Sequence, residues 1–235
     1  MVTFVDLRIA RDGIDRLGPV SLSLDPGRRT LILGHNGAGK SLLLRAAHGL
    51  LEPDTGSVAW AGQTPSASRA SRGFVFQSTP VMRRSVAQNI DFPLVARGVP
   101  ARERRSRVGA IMELAQLADW ADNPAATLSG GEKQRLALAR ALVTNPSTIL
   151  LDEPAASLDP AATQLLEQLI LRAHADGTGI IMSTHDLGQA ARLAQDVVLL
   201  DQGKVALQAG ASAFFAENAP DPAMDYRAGR LRSNP

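Results

Sequence analysis

Residues 34–41 read Gly34-His35-Asn36-Gly37-Ala38-Gly39-Lys40-Ser41. This fits G-x-x-x-x-G-K-[ST], in which a glycine-rich turn lets backbone N–H groups close around phosphates while the helix that follows aims its positive dipole end at them. The flanks stand in the required order. Arg29 to Leu33 is a short apolar run of buried-strand length, and Leu42 to Ala47 is good helix-forming sequence ending at Gly49. A merely tight glycine turn is the plainer alternative. Strand, loop and helix together favour a nucleoside triphosphate site.

Composition narrows the class. The 235 residues carry 25 basic and 23 acidic side chains, a formal net charge of +2, which is weak support for a nucleic-acid partner. A chain of this length accommodates one large α/β domain or two small ones. Zero cysteines exclude disulfides, thiolate metal sites and a cysteine nucleophile. No apolar run reaches the ~18 residues of a membrane span, and Met1 to Arg8 lacks the apolar centre of a signal peptide. A soluble protein is expected, with any membrane role supplied by partners.

Val5, Leu7 and Ile9, and then Val20, Leu22 and Leu24, alternate with polar residues as half-buried strands do. Short strands are also expected at Ser57 to Ala61, after the turn Pro53-Asp54-Thr55-Gly56, and at Gly73 to Phe76, so that an antiparallel edge accompanies the nucleotide core. From Ser78 to Leu128 the pattern is helical. Val108, Ile111, Met112, Leu114, Ala115 and Leu117 form one apolar stripe, preceded by Arg102, Arg104, Arg105 and Arg107, which read as a solvated face or as a contact for anionic lipid or a membrane partner. From Ser147 apolar runs at Thr148 to Leu151, Ile180 to Ser183 and Val197 to Leu200 alternate with helical patterns, the signature of a mainly parallel sheet. Asp201-Gln202-Gly203-Lys204 reads as a hairpin turn, and residues 219–235, rich in Pro, Asp, Arg and Gly, as a loosely held tail.

Two further stretches carry chemistry. Thr148 to Glu153 puts two carboxylates at the end of an apolar strand; in phosphate-loop enzymes the first holds Mg²⁺ together with the loop hydroxyl, here Ser41, and the second is free to orient or deprotonate a water. Alone, Asp-Glu after a strand could equally be solvated turn charge. Leu128-Ser129-Gly130-Gly131-Glu132 opens a helix, with Ser129 and Glu132 fitting a capping box. Capping does not require two intervening glycines, and their bareness suggests a second surface that a phosphate can approach.

With these motifs in order, the sequence resembles the nucleotide-binding subunit of an ATP-binding-cassette (ABC) transporter. Gln77 after the Gly73 to Phe76 strand, Ser157-Leu158-Asp159 and Ser183-Thr184-His185-Asp186 extend the match, which covers Val2 to about Phe215. The resemblance implies an α/β phosphate-loop domain over residues 1–218, with a mainly parallel core sheet, an antiparallel β edge and a helical subdomain at about 78–135. It implies ATP held by Gly34 to Ser41 and Leu42, with Lys40 on the β- and γ-phosphates, and Mg²⁺ on Ser41 and Asp152 with Gln77 beside it. Glu153 becomes the general base, His185 a γ-phosphate contact, and Gln77 a sensor linked to the membrane subunit. Ser129, Gly130, Gly131 and Asp159 complete the site of a second copy, so a homodimer is implied. Two permease subunits, an indirect extracytoplasmic substrate-binding protein, a place at the cytoplasmic face of the membrane and no nucleic-acid role follow from the same likeness.

Two positions depart from the family. No aromatic stands between Ala10 and Leu24 to stack on adenine, which leaves an aliphatic such as Ile14, and Leu42 takes the place of a common threonine. Leu42 to Arg45, His48 to Leu51, Phe76 to Val86 (including Thr79), His185 to Ala190 and Phe214-Phe215 are similar to the tungstate-type oxyanion importers. Molybdate, phosphate or another small solute, and a non-transport ABC-type ATPase, remain as alternatives. The absence of fused membrane and long regulatory domains suits a short importer subunit.

Overall fold

The computed structural model describes residues 1–78 and 80–230; Thr79 and 231–235 lie outside the described residues. Its strands are β1 (Val2–Arg11), β2 (Ile14–Leu24), β3 (Arg29–Leu33), β4 (Thr55–Trp60), β5 (Arg72–Val75), β6 (Thr148–Asp152), β7 (Gly179–Ser183), β8 (Asp196–Asp201) and β9 (Lys204–Gly210). Its α-helices are α1 (Lys40–His48), α2 (Val86–Ala96), α3 (Ala101–Leu114), α4 (Gly130–Leu142), α5 (Pro160–Ala175), α6 (Leu187–Leu193), α7 (Ala211–Phe215) and α8 (Asp221–Arg227).

The central sheet has the order β5-β6-β7-β3-β8-β9, parallel from β5 through β8 and closed by antiparallel β9. Its inner strands are apolar without alternation because helices or a second sheet cover both faces. Successive side chains go to opposite sides. Leu31, Leu33, Ile149 and Leu151 enter the larger core, whereas Ile32, Leu150, Ile181 and Val198 join Leu43 and Leu44 of α1 in the other. Leu43 is fully buried, and truncating it to Ala would cost about 2–5 kcal/mol. The register sets the site: Ser183 lies level with both Ile32 and Asp152, so β3, β6 and β7 end side by side.

The antiparallel strands form a separate sheet, β2-β1-β4, rather than only an edge of the main one. It meets the central sheet through α1 and a shared cluster containing Phe4, Val20 and Leu22. β4 begins at Thr55, inside the expected turn, and ends at Trp60, because Ala61 takes a left-handed φ of 47° that reverses the chain.

Helices α2, α3 and α4 pack together beside the sheet. Sequence periodicity overextends the α3 stripe. The helix ends at Leu114; Ala115 caps it, Gln116 turns at φ 53°, and Leu117 reaches the same core from beyond the end. Among the arginines preceding the stripe, Arg104 pairs with Asp91 at 2.8 Å and Arg107 with Glu103, while Arg102 and Arg105 are exposed, as on a solvated face.

Of the expected tail, 231–235 lie outside the described residues, and the part before them is ordered. Residues 221–227 form α8, and Ala219, Ala223 and Tyr226, at steps of four and three, sink into the larger core. Those contacts outweigh the polar composition. Arg227 fastens the helix by donating to the Ala216 carbonyl at 2.7 Å.

Candidate nucleotide-binding site

The loop between β3 and α1 depends on two close approaches. A Cβ on Gly34 (φ 149°) would stand 2.4 Å from the Leu200 carbonyl oxygen, and one on Gly39 (φ 97°) 2.8 Å from Leu17. Only glycine satisfies both the backbone conformation and the space. Ala38 packs into the core and offers the loop side only its backbone, whereas Asn36 and Gly37 are exposed at the rim. Lys40 is buried and folds back over the loop, its Nζ donating to the carbonyls of Gly34 (2.8 Å) and His35 (3.1 Å) and lying 3.0 Å from Glu153 Oε1.

Ser41 Oγ donates to Asp152 Oδ1 at 2.8 Å, which joins the first residue pair expected for a metal. Ser183 fixes both carboxylate residues: its Oγ donates to Asp152 Oδ1 at 2.9 Å and accepts the Glu153 N–H at 2.9 Å. Glu153 holds a left-handed φ of 44°, a strained backbone for a residue with a Cβ. Its Oε2 meets His185 Nδ1 at 3.1 Å, so one carboxylate bridges the loop lysine and the histidine that follows β7. Gln77 is exposed, and its carbonyl accepts from Gln134 Nε2 of α4 at 3.3 Å, which ties it to the helical subdomain.

These groups face a cleft of about 660 Å³. Asn36, Lys40, Ser41, Leu42, Gln77, Glu153 and His185 all contribute to its walls. Arg16 does as well, and sequence reasoning missed it; the expected Ile14 is exposed but is not among the lining residues. A guanidinium plane can stack on a base as an aromatic ring does. An isolated arginine gives no signal of this in sequence, because only the fold lays β2 beside the loop.

Ser129, Gly130, Gly131 and Asp159 lie outside this cleft. Ser129 and Glu132 form the expected capping box, with Ser129 Oγ accepting the Glu132 N–H at 3.3 Å and Glu132 accepting the Ser129 N–H at 2.7 Å. That backbone hydrogen bond is the main influence holding the Glu132 carboxyl below its ordinary pKa. Asp159 caps α5, accepting from Ala162 at 2.8 Å. The two glycines differ: a Cβ on Gly131 would meet Ala162 Cβ at 2.6 Å, whereas nothing lies within 4 Å of one on Gly130. Gly131 therefore permits the packing of α4 on α5 within the chain, and Gly130 is the open one.

The donor set suits magnesium. Among the described residues no group of three His, Asp or Glu could hold a metal by itself. Mg²⁺ characteristically takes one or two protein oxygens and completes its shell with phosphate and water, which Ser41 and Asp152 at a phosphate loop provide for.

A phosphate loop whose lysine, hydroxyl and paired carboxylates converge at the carboxyl ends of a parallel sheet defines a phosphate-loop nucleotide-binding protein. The family model for ABC transporters matches residues 17–156. A methionine import ATP-binding protein of Caulobacter vibrioides is 37% identical over 238 residues, covering 96% of this chain and 72% of the relative. A tungstate uptake system ATP-binding protein of Peptoclostridium acidaminophilum is 36% identical over 205 residues, covering 87% and 96%. The chain spans about half (53%) of the length of the Brucella abortus methionine import relative that it matches. Among solved structures, a dimeric post-hydrolysis state of the ATP-binding cassette MJ0796 bound to ADP and Pi superposes with a TM-score of 0.81 at 28% identity, covering 90% of this chain and 99% of that one. The chain belongs to the ABC transporter family. It is an ABC-type ATPase.

Proposed function

We propose that this chain is the ATP-hydrolysing subunit of an importer for a small solute, and that two copies close around two ATP molecules to drive separate permease subunits. The observation that carries the hydrolytic reading is the Glu153 carboxylate, set between Lys40 Nζ at 3.0 Å and His185 Nδ1 at 3.1 Å beside the phosphate loop. Lys40 grips the β- and γ-phosphates, Glu153 takes the proton of the attacking water, and His185 steadies Glu153 and the γ-phosphate. Mg²⁺, held by Ser41 and Asp152 with Gln77 at hand, would supply charge neutralisation at the phosphate oxygens. Ser129, Gly130 and Asp159 complete the partner copy's site, with Gly131 setting the helix that presents them. Glu153→Gln tests the base. Turnover should fall on the order of 10²- to 10⁴-fold with ATP binding retained.

No helix among the described residues is long and apolar enough to cross a membrane, in keeping with a subunit held at the cytoplasmic face by its permease. A groove of about 310 Å³ between β5 and the helical subdomain, lined by Phe74, Met82, Phe92 and Arg97, is the seat proposed for a permease segment. An extracytoplasmic binding protein would deliver the solute to that permease.

The solute proposed is tungstate, supported by the family flavour of the sequence and by the uptake-system relative. The Caulobacter relative, equally similar, favours methionine as the second reading. Deleting the gene and measuring cellular tungsten and molybdenum by elemental mass spectrometry, beside labelled methionine uptake, separates them. Loss of tungsten alone supports tungstate; unchanged tungsten with lost methionine uptake transfers the assignment to the amino acid.

A further inference from the structure

Tyr226 is the only tyrosine in the chain, and α8 delivers it to the phosphate loop. Its ring, 5% exposed, stands edge-on to the His35 imidazole, with centroids 5.2 Å apart and planes inclined at 63°. Burial pushes the phenol above its ordinary pKa, the Gly34 amide opposes that, and the Glu153 charge adds to it. His35 Nε2 is buried without a hydrogen-bond partner, so packing against the tyrosine ring, not a hydrogen bond at Nε2, holds this side of the imidazole. The carbonyls of Gly34 and His35 are also the two that accept from Lys40 Nζ. Contact therefore runs from Tyr226 to His35, whose carbonyl, with that of its neighbour Gly34, accepts from the lysine proposed to meet phosphate.

We propose that Tyr226 is a positioning residue of the ATP site, holding Gly34 and His35 in the conformation that receives phosphate, so that ATP affinity depends on α8. The helix is firmly seated for that role. Ala219 and Ala223 are buried in the core, and Arg227 donates to the carbonyls of Phe214 (3.4 Å) and Ala216 (2.7 Å). An edge-to-face ring pair alters an equilibrium constant by about 2- to 12-fold, which sets the size of the effect.

The inference rests on ATP occupying the phosphate loop, and the experiment tests the two apart. Mg·ATP binding is measured by calorimetry on the whole chain carrying Glu153→Gln, and KM and kcat on the chain with Glu153 intact. Tyr226→Leu, which keeps the core filled without the ring, should raise Kd and KM by about 3- to 10-fold while kcat at saturating ATP stays within about 2-fold. Tyr226→Phe, which keeps the ring, should restore most of the affinity. Unaltered Kd in Tyr226→Leu, or a loss of kcat that simply follows the unfolded fraction by circular dichroism, would overturn the proposal. If Tyr226→Leu does not fold, His35→Ala tests the contact from the loop side: a similar weakening supports it and unchanged affinity overturns it. Failure of the unsubstituted tyrosine chain to bind ATP would instead overturn the nucleotide reading itself.

Discussion

Lys40 Nζ lies 3.0 Å from Glu153 Oε1, with only 5% and 12% of the two side chains exposed. The lysine proposed to grip phosphate and the carboxylate proposed to take the proton are thus one electrostatic unit. Removing one partner of a shielded pair leaves the other poorly compensated. Lys40→Ala should destabilise the chain by about 2–4 kcal/mol in urea unfolding, and adding Glu153→Gln should recover at least ~1 kcal/mol. Strictly additive losses would show that the pair does not interact.

Ser183 holds both members of the carboxylate pair through a single hydroxyl. Ser183→Ala deprives Asp152 of a donor and frees the strained Glu153 amide. Support of this kind to a carboxylate in the metal-holding role proposed for Asp152 is worth about 10- to 100-fold in activity, so kcat should fall by that order while the fold persists. Wild-type turnover at saturating Mg·ATP would remove Ser183 from the mechanism.

Gly130 and Gly131 should part company under substitution. Gly131→Ala places a methyl 2.6 Å from Ala162 Cβ and should cost about 1–3 kcal/mol of stability. Gly130→Ala meets nothing within the chain and should leave the melting temperature at or slightly above that of the wild type, since alanine favours helix. If Gly130 meets the partner's nucleotide as proposed, the added methyl should nevertheless lower ATPase activity. Equal melting temperatures for the two variants would contradict the packing argument.

His48 gives the fold a pH dependence of its own. Burial first, and then the neighbouring Arg72 and Arg69 charges, depress its pKa from 6.5 to about 4. Between those values the unfolded chain binds a proton that the folded chain refuses. Stability from this group is therefore complete above pH 6.5 and declines as the pH falls toward 4, by about 3 kcal/mol in all. His48→Gln should flatten that part of the unfolding profile, whatever its effect on absolute stability. An unchanged slope would show that His48 titrates normally.

Much of the central sheet was legible because its strands are apolar runs, and β3 falls on the Arg29 to Leu33 stretch without adjustment. That Lys40, Ser41, Asp152, Glu153 and His185 converge was legible because a phosphate loop needs small residues and charges at fixed spacing. What sequence did not reveal depends on distant contacts. Three apolar side chains in a polar tail, Ala219 just before α8 and Ala223 and Tyr226 within it, seat that helix, and their value exists only where the larger core receives them. Arg16 reaches the cleft because β2 passes the loop, and the division of labour between Gly130 and Gly131 depends on where Ala162 lies. Ser183 had a visible motif around it, but its two hydrogen bonds follow from the register of β6 and β7.

Steady-state ATP hydrolysis by the Glu153→Gln variant, measured beside its ATP binding, tests the proposed base most directly. Turnover should fall on the order of 10²- to 10⁴-fold with nucleotide affinity retained. Full turnover in that variant would contradict Glu153 as the base and, with it, the central reading of the site.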